Sequence, residues 1–296
     1  MKTRAIILCA VVALLFSTSC LNGGSSSGGS SSATDVGYYT SYTIEEDGTM
    51  IPVYTNETQS SVNLYIPDIL VPSMNVTLYG VRFTDNMPPQ TISFVGLAFT
   101  KVIADDGINY VINTGDIVPK VSDVEFPDYK VKSLKVSVGT KVVVDMEFEA
   151  LPYRLIFHSE AWNNTPMVYA GSFKTIRTAT SSEEVTFESN TAEVKVEKKI
   201  KGDVKCLSVT FNGVQFAAAM PALNITFPEL PFKRTVNTNG IVYTIDAENI
   251  VPKIGDVEYP NYKAAYINAL LHGEADVEFS LATMPYKVIF TTSVNQ

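Results

Sequence analysis

Apolar and polar positions alternate with a period of two along most of this chain. Val144, Met146 and Phe148 are separated by Asp145 and Glu147, and Val277, Phe279 and Leu281 by Glu278 and Ser280. Successive side chains of a strand point to opposite faces, so each run predicts a strand with one dry and one wet face, as in antiparallel sheet. The same alternation recurs at Val76-Thr77-Leu78, Ile92-Ser93-Phe94, Val209-Thr210-Phe211 and Ile225-Thr226-Phe227, and over 62–66 and 194–197. Many short strands without a long helical period predict an all-β chain of barrels or sandwiches.

The pattern is written twice. Residues 107–130 read GINYVINTGDIVPKVSDVEFPDYK and residues 240–263 read GIVYTIDAENIVPKIGDVEYPNYK, with fourteen of twenty-four positions identical and no gap. The same offset of 133 places Gly80 on Gly213, Phe83 on Phe216 and Met87-Pro88 on Met220-Pro221. This period is that of a whole small domain, beyond the roughly 20–50 residues of a solenoid unit. The duplication also arbitrates between local signals. Residues 264–271 (AAYINALL) have the composition of a helix, but their partner 131–138 (VKSLKVSV) alternates like a strand, so both are expected to be strands. About eight or nine short strands per copy follow from the pattern.

Asp105-Asp106-Gly107 and Thr238-Asn239-Gly240 offer hairpin-turn chemistry at matching places. The Pro-flanked stretches 119–127 and 252–260 mark connections or sheet edges, because Pro cannot donate to a ladder. The expected organisation is a leader at 1–20, a Gly/Ser tether at 21–34, a first β domain at 35–160, a linker at 161–166 and a second β domain at 167–296.

At the N-terminus Lys2 and Arg4 precede an apolar run from Ala5 to Phe16, then small residues, then Cys20. This is the order of a secretory leader, with an apolar run too short to span about 30 Å of hydrocarbon. A Cys directly after the small residues is similar to a bacterial lipoprotein cleavage site, which implies a mature chain anchored in the membrane through an acylated Cys20. The Gly/Ser run behind it has the composition of a flexible tether. Leu21 stands where an Asp would favour inner-membrane retention, and no acidic run follows. The expected location is therefore the outer membrane, on its periplasmic or extracellular face.

The formal net charge is −9, and −11 once Lys2 and Arg4 leave with the leader. So acidic a chain lacks the clustered cations that phosphate backbones need, and nucleic acid is not an expected partner. With Cys9 removed and Cys20 acylated, Cys206 remains alone and is expected to be a small buried apolar side chain. No His-Glu-x-x-His or phosphate loop is present. His158-Ser159-Glu160 cannot form a relay, because strand neighbours point apart. No catalytic residue, metal or cofactor is expected.

The polar candidates are duplicated carboxylates in the Pro-flanked loops: Asp123 with Glu125, and Asp256 with Glu258. They offer hard oxygens to Ca²⁺, which takes about six to eight. Two carboxylates do not define such a site, and a loop shaped by Asp–backbone hydrogen bonds is the simpler expectation. The matched aromatics, among them Phe126/Tyr259 and Tyr129/Tyr262, could line a cavity or form a sugar-stacking face, but are expected mainly in the cores. Trp162 lies in the linker and is a candidate anchor for a partner, with packing at the domain junction as the alternative.

The pieces VTLYGVRF…MPPQTISF and VTFNGVQF…MPALNITF are followed in both copies by Gly-x-x-Tyr-x-Ile, Ile-Val-Pro and Pro-x-Tyr, behind a lipoprotein-type leader. Over nearly the whole mature chain this resembles the calycin-like (lipocalin-like) secreted lipoproteins of gut Bacteroidetes. The resemblance implies two tandem antiparallel up-and-down barrels of eight strands, each enclosing a small apolar ligand or filled by its own side chains. It hands over no catalytic residues. The expected function is that of a non-enzymatic, lipid-anchored envelope protein binding a small apolar or amphipathic molecule. The inward-facing Val144, Met146, Phe148, Val277, Phe279 and Leu281 are the candidate lining. The alternative is an adhesion or interaction module that recognises a protein or glycan through its loops and the domain junction.

Overall fold

The structure, a computed structural model, describes residues 30–68, 70–104, 107–163, 165–178 and 183–292. The leader, Cys20, most of the tether and the Asp105-Asp106 turn lie outside the described residues. The fold is all-β, with two antiparallel sheets and no α-helix among the described residues. No helix there is long and apolar enough to cross a membrane. The chain divides into two compact units. One holds the described residues up to Ala161 together with Val236–Thr238, and the other holds those from Trp162 to Thr235 and from Asn239 onward.

The first sheet begins with β1 (Ser31–Ile44), β2 (Met50–Thr55), β3 (Ser60–Ile66), β4 (Ser73–Val81), β5 (Gln90–Ala98) and β6 (Thr100–Ala104). It continues with β7 (Gly107–Thr114), β8 (Lys120–Val121), β9 (Val124–Glu125), β10 (Val131–Val138), β11 (Val142–Phe148) and β12 (Tyr153–Ser159). The second begins with β13 (Met167–Arg177), β14 (Glu184–Lys201), β15 (Val204–Val214), β16 (Leu223–Leu230), β17 (Lys233–Asn237) and β18 (Gly240–Ala247). It ends with β19 (Lys253–Ile254), β20 (Val257–Glu258), β21 (Ala264–Leu271), β22 (Ala275–Leu281) and β23 (Tyr286–Thr292). The two short strands of each Pro-flanked loop, and in the first sheet the separate β2, raise the numbers to twelve and eleven, above the eight or nine expected for each copy.

From β6 onward the strands of the first unit recur in the second with the same lengths, 133 residues later. Residues 264–271 are indeed a strand, so burial of alternate side chains overrides local helix propensity there. The N-terminal strands diverge. In the first unit Asn56 separates β2 from β3: its Oδ1 accepts the Tyr39 amide at 2.7 Å and its backbone N–H donates to the Tyr39 carbonyl at 3.1 Å. In the second, β14 runs unbroken and occupies the places of both β2 and β3. β1 also starts earlier than the sequence suggests. Residues 31–34 pair with β3 and are strand rather than tether, because ladder hydrogen bonds accept Ser and Thr as readily as other residues.

Strand order is β6-β7-β10-β11-β12-β1-β3-β4-β5-β8-β9, with β2 on β1, and β17-β18-β21-β22-β23-β13-β14-β15-β16-β19-β20. The end strands of each sheet do not pair with one another, so neither sheet closes, unlike the barrels the resemblance implies. The reason lies at one edge. β5 and β16 are met only by the two-residue β8 and β19, each directly preceded by a proline (Pro119, Pro252) that has no N–H to extend the ladder. Each sheet instead folds over a single core. Val62, Leu78 and Phe94 meet Leu134, Val144 and Phe157 in the first unit. Val194, Phe211 and Phe227 meet Ile267, Val277 and Phe290 in the second.

A positive φ recurs at the first turn position of both copies even where the residue does not. Ser122 (φ 49°) aligns with Gly255 (φ 59°), and Asp123 beside it has φ 70°. Two consecutive positive φ values are what a two-residue primed turn between β8 and β9 requires. A non-glycine residue in that region costs about 1–2 kcal/mol, and the extra unfolded-state freedom of glycine returns about 0.4–1 kcal/mol of it. Ser122→Gly is therefore expected to stabilise the chain by a few tenths to about 1 kcal/mol. The check is a higher urea midpoint with an unchanged slope; a lower midpoint would contradict it.

Candidate functional site

An apolar concavity lies in the second unit, where four chain segments meet at one end of the sheet. It is an apolar pocket of about 280 Å³. The first wall is the β15–β16 connection. β15 carries a register shift between Phe211 and Val214, with Gly213 at φ 74°, and the chain then places buried Phe216 in the wall. The side-chain amide of Gln215 donates to the carbonyls of Ala218 and Met220 at 3.1 and 2.7 Å, which pins the loop that carries Met220 and Pro221.

The second wall is β16 itself, through Leu223 and Ile225. The third is the Pro252 segment. Ile254 pairs with Ile225, and the Tyr259 amide donates to the Pro252 carbonyl at 3.0 Å. A single 3₁₀ turn (Pro260–Tyr262) then brings Tyr262 to the rim, 43% exposed. The fourth wall is the end of β22 with its turn, Leu281 and Met284. Among the described residues no charged side chain lines the pocket, and its polar side-chain groups there are the Tyr259 and Tyr262 hydroxyls. Such a wall takes apolar surface and offers an ion nothing in return for its hydration.

Of the residues expected to line a cavity, Val144, Met146, Phe148, Val277, Phe279 and Leu281 are all buried on inward faces of β11 and β22. Most are packed core. The Phe279 ring centroid lies 4.8 Å from Phe211 and 4.9 Å from Phe227, and Phe148 lies 5.0 Å from Phe83. Only Leu281, at the end of its strand, reaches the pocket. Tyr259 and Tyr262, expected mainly in the core, belong to its wall.

The acidic pairs sit in the β8–β9 and β19–β20 hairpins. Glu125 stands opposite Lys120, and Glu258 pairs with Lys253 at 3.2 Å. Among the described residues no group of three or more His, Cys, Asp or Glu is placed to hold a metal ion. Trp162 is committed within its own unit. It stacks on Phe232 at 5.5 Å and lies under the ammonium groups of Lys205 at 5.3 Å and Lys198 at 5.7 Å.

Ser159 Oγ accepts the Val142 amide at 2.7 Å and ties the end of β12 to the start of β11. Burial pushes the His158 imidazole below its ordinary pKa, and its Nε2 has no hydrogen-bond partner among the described residues. Burial likewise pushes the Cys206 thiol up, away from the thiolate form a nucleophile needs.

Neither the models of known protein families nor the curated proteins match this chain. The pocket is built largely from loops, which period-two patterning does not resolve. The available signal was the difference between the copies at aligned positions, above all Phe148 against Leu281.

Proposed function

We propose that the chain is a lipid-anchored protein of the bacterial cell envelope, held at the outer membrane through Cys20. In this reading it binds a small apolar or amphipathic molecule without transforming it. The observation that carries the binding function is the uncharged, loop-walled pocket of the second unit. Its volume lies near the lower end of the roughly 300–1,000 Å³ typical of ligand sites. A dry cavity of about 150 Å³ already holds benzene, so this one suits a body of one or two rings or a short branched aliphatic. The open sheets are read as flattened calycin-like barrels that stop short of closure, and the pocket lies where closure fails.

The leader, Cys20 and the Gly/Ser run support the anchor on sequence alone. An amphipathic guest would keep its polar end at the rim, beside the exposed Tyr262. The test is native mass spectrometry of the non-acylated mature chain, residues 21–296, purified from cells and compared with its denatured mass. The expected result is extra mass that is lost on denaturation, or uptake from a mixture of sterols and short fatty acids. A bare mass throughout would contradict the binding function and direct attention to recognition of a protein or glycan at the loops.

A further inference from the structure

One pair of aligned residues differs at the end of the sheet that holds the pocket. Leu281 aligns with Phe148, at the last position of β22 and β11 respectively. In the first unit the Phe148 ring meets Phe83 edge-on at 5.0 Å and lies 6.0 Å from Tyr129. Phe83 also lies 5.9 Å from Tyr129 and stacks on Tyr153 at 5.3 Å. Four rings thus fill this end of the first sheet.

In the second unit the Phe216–Tyr286 contact, equivalent to Phe83–Tyr153, persists at 5.7 Å. The ring of Phe148 is replaced by the smaller Leu281, and Tyr262, the equivalent of Tyr129, is exposed at the rim. Its ring neighbour is Tyr259 at 6.4 Å. At a further wall position the second copy has Leu223 where the first has Gln90. Leu281 and Tyr262, the counterparts of Phe148 and Tyr129, thus line a void of about 280 Å³ in the second unit.

We propose that the protein is a one-site binder built from two copies: the second unit takes one neutral apolar molecule, and the first carries the same site closed by Phe148 as an internal plug. This rests on the binding function proposed above and adds its stoichiometry and the residue that sets it. Titration of the mature chain with the apolar fluorophore N-phenyl-1-naphthylamine reads both. The wild type is expected to bind one equivalent, Leu281→Phe at least tenfold more weakly, and Phe148→Leu two equivalents.

Leu281→Phe imports the residue the first unit already carries, and Met284→Trp fills the pocket from its half-buried turn. Either one keeps the test readable if the other fails to fold, as judged by far-UV circular dichroism. Two equivalents on the wild type would overturn the proposal. So would one equivalent indifferent to the changes at 281 and 284, or no gain from Phe148→Leu. A wild type that binds no probe contradicts the binding function instead. The plug is then decided by Phe148→Leu alone, where a gained site supports it and silence overturns it.

Discussion

Phe279→Ala is expected to remove about 3–5 kcal/mol of stability from the second unit, the range for emptying a fully buried aromatic site. Phe279 is wholly buried, and its ring contacts those of Phe211 and Phe227, which lie 6.0 Å from each other in an edge arrangement. Its neighbours belong to separate strands of the doubled-over sheet, so they are held by their own ladders and collapse little into the space left. A domain of this size has only about 5–15 kcal/mol to lose. Amide hydrogen exchange resolved along the chain checks the effect where it should fall. Protection in β21, β22 and β23 should drop by about two to four powers of ten. A loss below about 1 kcal/mol would mean that this core repacks freely, contrary to the close packing described.

Gly171→Ala is expected to cost about 3 kcal/mol or more, at the upper end for overpacking. A Cβ at Gly171 would lie 2.2 Å from the Thr291 carbonyl oxygen and 2.8 Å from Phe290 Cζ. The first of these is backbone of the paired strand β23, so relief requires moving the ladder rather than a flexible side chain. Gly37 meets the same obstacle in the first unit, 2.1 Å from the His158 carbonyl, which shows that the close approach belongs to the fold and not to one copy. Gly273 supplies the control. It has open space around it and no positive φ, so Gly273→Ala should stay within about 0.5 kcal/mol of the parent. Thermal unfolding followed by circular dichroism compares the two, with roughly 3–5 °C expected per kcal/mol. Equal tolerance of the two substitutions would show that β13 and β23 are not as closely apposed as described.

The strands were legible because their signal is local and repeated. Val144, Met146 and Phe148 announce an inward face by alternation alone, and the 133-residue repeat corrects the one stretch, 264–271, whose composition misleads. What escaped the sequence has physical reasons. The unclosed edge depends on how many ladder bonds β8 and β19 can form beside their prolines, which is a matter of register. The interruption at Asn56 is a side-chain hydrogen bond with the main chain of another strand and leaves no periodic trace.

Glu229 adopts φ 57° where the first copy has Gly96 at φ 71°, so the turn is inherited although its usual residue is not. The pocket is the largest such gap. Inward-facing core residues were natural candidates for lining a barrel, but a packed core leaves no room among them, and the void formed beyond the strand end among Met220, Pro252, Tyr262 and Met284.

Methionine methyl groups report on the pocket wall and on its counterpart in the first unit. Met220 and Met284 lie in the pocket wall, whereas Met87 occupies the aligned place in the first unit and Met146 lies in that unit's core. Carbon-13 methyl NMR of the mature chain, titrated with N-phenyl-1-naphthylamine, should move the Met220 and Met284 resonances in a saturable way and leave Met87 and Met146 in place. Unmoved Met220 and Met284 signals, or shifts centred on Met87, would contradict an apolar binding site confined to the second unit.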